Sequence, residues 1–106
     1  MAATQTPVAV SHALRRLGTD LATWRRLRRL TAAQVADRAG VSRHTVMRIE
    51  GGAGASLESA VRIARALGVL EQLASALDPY ATDVGRLRSE EALPQRVRQP
   101  RADRTS

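Results

Sequence analysis

Cysteine is absent from the 106-residue chain, so neither a disulfide framework nor a thiolate metal site is available. Phenylalanine is absent as well, and there is one Trp and one Tyr. A core must therefore be built from Leu, Val, Ile and Ala, as in a compact helical bundle. Lysine and asparagine do not occur either: all 17 basic residues are Arg. No apolar run approaches the ~18 residues of a membrane span. The opening Met-Ala-Ala-Thr-Gln-Thr-Pro has neither the basic start nor the apolar stretch of a secretory leader, so a cytoplasmic protein without membrane contact is expected. Enzymatic chemistry also lacks its parts. With two His, no clustered carboxylates and no glycine loop between a strand and a helix, no catalytic residue, metal or cofactor is expected.

What the chain does have is positive charge: a net +7 and a pI near 11.6, which favour a polyanionic partner. Its apolar residues recur at helical spacing. Residues 1–10 carry no periodicity and read as a flexible N-terminal arm. From Ser11, the series Leu14, Leu17, Leu21, Trp24 and Leu27 marks one face of a helix. Arg15, Arg16, Arg25, Arg26, Arg28 and Arg29 fill its other face, toward solvent or phosphate, and Gly18 predicts a break or kink. Gly51, Gly52 and Gly54 form a flexible loop leading to Ser56, an N-cap for a helix Leu57–Leu67 that Gly68 ends. A fifth helix, Val69 to Leu77, shows Leu70, Leu73 and Leu77 on one side, available to the core or to a dimer interface. Asp78-Pro79 closes it. Residues 79–106 have too few apolar side chains to fold alone and read as an Arg-rich tail, disordered or ordered by a partner. The expectation is an all-α protein: arm 1–10, a five-helix domain 11–78, and tail 79–106.

Between Leu30 and Glu50 the pattern is more specific. Thr31 and Ser42 each stand where a side-chain oxygen would cap a short helix, and Gly40 hinges the two. Val35, Val41, Val46 and Ile49 are spaced to face inward, with the small Ala36 at the helix crossing. Arg43, His44, Met47 and Arg48 are left pointing out. That is the pattern of a DNA-binding helix-turn-helix, whose second helix lies in the major groove. Arg43 and Arg48 would each offer a planar fork to guanine O6 and N7, and Met47 an apolar contact to a thymine methyl. Arg38 suits a phosphate. Trp24 belongs with the core leucines, and Glu50 suits a nearby Arg or a loop N–H.

Leu30-Thr31, Val35-Ala36, Ala39-Gly40-Val41-Ser42-Arg43, Arg48-Ile49-Glu50-Gly51, Ser56-Leu57 and Ile63 to Gly68 closely resemble the phage-repressor-like (Xre, Cro/CI-type) transcriptional regulators, over about residues 14–77. The resemblance implies a five-helix DNA-binding domain and a homodimer on a pseudo-palindromic operator. It places Arg43, His44 and Arg48 among base-reading side chains, with Thr45 and Met47 close by. Thr31, Ser42, Arg38 and the backbone at Ala32 and Gly52 fall on the phosphate side. The family often carries Gln after the capping Thr; this chain has Ala32 there and Gln34 two residues later.

A second resemblance joins residues 51–57, Asp83-Val84-Gly85 and Leu93-Pro94-Gln95-Arg96-Val97-Arg98 to a bacterial subgroup paired with HipA-like kinase toxins. It implies a HipB-type antitoxin and a partner-binding role for Leu93, Pro94, Arg96, Val97 and Arg98. The alternative is a protein-interaction module that neutralises a partner with little specific DNA binding.

Overall fold

The computed structural model describes residues 5–92, and all regular structure among them is helical. The elements are α1 (Val8–Leu27), α2 (Ala32–Ala39), α3 (Arg43–Glu50), α4 (Leu57–Leu67), α5 (Leu70–Ser75), a 3-10 turn (Pro79–Ala81) and α6 (Asp83–Ala92). The chain divides into two compact units, 1–73 and 74–106.

In the first unit, α2 packs against both α3 and α4, and α1 lies across α3 and α4. The sealed centre is Val35 and Ala36 of α2, Val46 of α3, Ile63, Ala64 and Leu67 of α4, and Val69. Leu21, Trp24, Leu30 and Val41 close its edges. The aliphatic core expected from the missing Phe is thus what fills the space.

Helices α2, α3 and α4 each start on a side-chain cap. Ser42 Oγ accepts from Thr45 N at 3.0 Å and Ser56 Oγ from Ser59 N at 3.0 Å. Thr31 forms a reciprocal box: its Oγ1 accepts from Gln34 N at 3.1 Å, while Gln34 Oε1 accepts from Thr31 N at 2.8 Å.

The first four helices also share an ending. An N–H reaches back five residues to a carbonyl: Leu30 to Arg25, Val41 to Ala36, Ala53 to Arg48 and Val69 to Ala64, at 2.9–3.1 Å. The residue before each donor is left-handed: Arg29 (φ 58°), Gly40 (72°), Gly52 (86°) and Gly68 (79°). This is the Schellman stop, with an apolar residue folded back just after the turn. Three of the four left-handed sites carry Gly, and the fourth holds Arg29 against the usual preference.

Several expectations need correction. Helix α1 begins at Val8, inside the segment read as an arm, because Pro7 O accepts from Val10 N and Ser11 N at 3.0 and 3.1 Å. Gly18 does not break it. It is buried where α3 ends, and a Cβ there would overlap Ile49 O and stand 2.9 Å from Glu50 O. Helix α5 stops at Ser75, short of Leu77. Gly52 belongs to an ordered turn in place of a loose loop, since its N–H donates to Ile49 O at 3.0 Å.

The second unit holds further helix where the sequence suggested tail. Local bonds build it: Asp78 Oδ1 accepts from Tyr80 N at 2.9 Å, Thr82 Oγ1 accepts from Gly85 N at 2.9 Å, and Arg86 pairs with Asp83. Gly85 lets this turn close, because a Cβ would collide with Pro79 O. The element count is therefore six α-helices among the described residues. Leu93, Pro94, Arg96, Val97 and Arg98 lie outside the described residues.

Candidate nucleic-acid interface

Helix α3 is short, eight residues, and its two faces differ sharply. Val46 and Ile49 are buried against the core. Arg43, His44 and Arg48 are exposed on the opposite side, with Met47 at 51%. The sequence reading therefore places these side chains on one solvent-facing surface. Thr45 is half-buried at the third helical position, its Oγ1 2.9 Å from Ser42 Oγ, so its hydroxyl serves the cap.

Both ends of α3 are held. At the start, the left-handed Gly40 and the Ser42 cap fix the angle with α2. At the end, Gly18 admits the α3 carbonyls against α1, and Glu50 takes a two-pronged grip from Arg25. The Arg25 Nε–Glu50 Oε2 distance is 2.7 Å and the second prong, from Nη2 to Oε1, is 3.0 Å. Side-chain exposures of 19% and 15% place this pair out of bulk water, where forked pairing is strongest. The hydrogen bonds from Glu50 push the Arg25 guanidinium above its usual range; burial opposes this and the carboxylate charge adds to it. Arg25 also donates to Leu30 O at 3.0 Å, binding the end of α1 into the same cluster.

Other arginines are spent the same way. Arg28 donates to Leu67 O at 2.9 Å, capping α4, and stacks over Trp24 at 5.1 Å from the ring centre. Arg62 bridges Glu58 at 3.0 Å and Ala39 O at 3.3 Å, capping α2. Glu50 was expected to meet a nearby Arg, and Arg25 is that residue; the roles of Arg28 and Arg62 were not read from the sequence, which assigned the arginines of the first helix to solvent or phosphate. The carbonyl partners of Arg28 and Arg62 lie 39 and 23 residues away, so no local pattern announces them, whereas Arg62 and Glu58 stand at helical i,i+4 spacing. Arg48 is intermediate: one fork nitrogen donates to Gly54 O at 3.1 Å, which leaves its other donors for a base.

The phosphate-side residues divide. Ala32 is the first residue of α2, where an N–H has no partner within the helix, and Arg38 is exposed in its last turn. Thr31 Oγ1 and Ser42 Oγ each already accept a cap bond. Gly52 N–H is committed to Ile49 O, so the requirement for glycine there is steric and conformational. Gln34, the nearest substitute for the family's Gln, is committed to the capping box. Thr31-Ala-Ala-Gln34 is the local signal for that box.

Leu70 and Leu73 are 37% and 38% exposed on α5, while Leu77, in the second unit, is 92% exposed. No helix among the described residues is long and apolar enough to cross a membrane.

Among known families, a sequence model described as a helix-turn-helix domain matches residues 16–77, from within α1 to just past α5. No curated protein and no solved structure matches the chain.

Proposed function

The chain belongs to the helix-turn-helix domain family, and from that premise we propose that it is a sequence-specific DNA-binding repressor, autoregulatory and without enzymatic activity. The carrying observation is α3: Arg43, His44, Met47 and Arg48 on one exposed face, the opposite face buried, and both ends clamped. A rigid recognition helix keeps its base-reading side chains in register, and each correct Arg–guanine pair discriminates by ~1–3 kcal/mol. Ala32 N–H and Arg38 set the helix on the backbone. A homodimer pairing Leu70 and Leu73 of α5 would separate two such helices by about 34 Å, hence a pseudo-palindromic operator.

The test is binding to the DNA upstream of its own gene against random duplex, by fluorescence anisotropy across a salt series. A preference of ~10³ or more supports the proposal. Equal, steeply salt-dependent binding to both duplexes opposes it.

The finer reading is a HipB-type antitoxin with a HipA-like kinase as partner, supported by the likeness of residues 51–57, 83–85 and 93–98 to that subgroup. The exposed Tyr80, Val84 and Leu87 of the second unit favour a protein partner and keep a second reading in play, a neutralising module with weak DNA recognition. Arg43→Ala separates the two. In the second reading it changes neither partner binding nor the already weak DNA binding; in the first it cuts operator preference by ~1–3 kcal/mol.

A further inference from the structure

Arg25, Arg28, Arg48 and Arg62 are each tied down by an intramolecular bond, whereas Arg15 is held only by the packing of its stem. It lies three residues before Gly18, where α1 passes the end of α3. Its stem is packed against the turn that follows α3: a Cβ on Gly52 would stand 2.8 Å from Arg15 Cγ and 3.2 Å from its Cα. Only a glycine in the left-handed conformation, φ 86°, allows the approach. The side chain is nevertheless exposed, so the stem is fixed while the head faces water. From α3, Arg48 donates to Gly54 O two residues further along. One arginine stem from α1 and one guanidinium from α3 thus meet the same turn.

We propose that Arg15 is a phosphate-binding residue that extends the DNA contact past the C-terminal end of α3. This rests on the DNA-binding reading above and adds a second anchor to it. Base contacts at Arg43 and His44 occupy the N-terminal end of α3. At the other end Arg48 has one donor committed to Gly54 O, so a cation beyond that end adds a backbone anchor there. Arg15 supplies that cation from a separate helix whose position is fixed through Gly18 and Gly52. Its role is affinity and orientation without sequence preference, as for phosphate contacts generally.

The test uses the full chain with Arg15→Gln, which keeps the stem against Gly52 and removes the charge, and Arg15→Lys, which restores the charge. Affinity is measured across a salt series for a duplex selected from a random library by the wild-type protein, and for an unselected duplex. The expected result is weaker binding of Arg15→Gln to both duplexes by the same factor. The slope of log K against log salt should fall by ~0.9 and recover in Arg15→Lys. An unchanged slope in Arg15→Gln, with wild-type preference intact, overturns the role of Arg15 alone. A wild-type protein that selects no duplex overturns the DNA-binding reading itself.

Discussion

The C-terminal half of α1 and the outer face of α3 are both rich in arginine, yet the two regions use it in opposite ways. Arg25 and Arg28 turn inward to Glu50, Leu30 O and Leu67 O, and their charges hold helix ends together. Arg43 faces water, and Arg48 gives up one donor to Gly54 O. What separates them is the neighbour. A guanidinium beside a half-buried carboxylate or an orphan carbonyl becomes part of the scaffold, whereas one opposite a buried face of an eight-residue helix stays available for a ligand. Net charge alone therefore overstates the DNA-facing surface, because part of the positive charge is structural.

The contrast breaks first at Gly18. Replacing it with Val drives a side chain into the carbonyls of Ile49 and Glu50 and should cost about 3 kcal/mol or more, the upper range for overpacking. Urea unfolding followed by circular dichroism reads this; a loss under ~1 kcal/mol would mean that α1 shifts aside without penalty. Glu50→Ala comes next. It leaves Arg25 beneath the surface without its carboxylate, and about 2 kcal/mol should go, less than for a fully sealed pair. Thermal melting that matches wild type would show the pair to be ornamental. Smallest is a gain. Arg29→Gly relieves the left-handed backbone at the end of α1 and should stabilise by about 0.5–1 kcal/mol, after allowing for the cation lost from that helix end. A lower melting temperature would point instead to a contact by the Arg29 side chain.

The local grammar of the domain was legible. Thr31, Ser42 and Ser56 cap the helices that follow them, and Gly40 and Gly68 stop the helices that precede them, because caps and stops depend on residues within one turn. The exposed face of α3 was legible for the same reason, through its periodicity. Gly18 was misread because its cause is tertiary: a glycine inside a helix looks like a break until another backbone is seen resting on it. Arg25 and Arg28 were misassigned since their partners come from α3 and α4. Helix α6 escaped notice because apolar content was the criterion, whereas Asp78, Thr82 and Arg86 build it with side-chain bonds.

The central claim is that Arg43 and Arg48 of α3 read bases while Arg25 and Arg28 hold the helix ends in place. Arg43→Ala tests it most directly, through the ratio of affinities for a selected and an unselected duplex measured beside the melting temperature. The account predicts an unchanged melting temperature and a ratio reduced by about 1–3 kcal/mol. An unchanged ratio, or a loss of affinity equal on both duplexes, would contradict it.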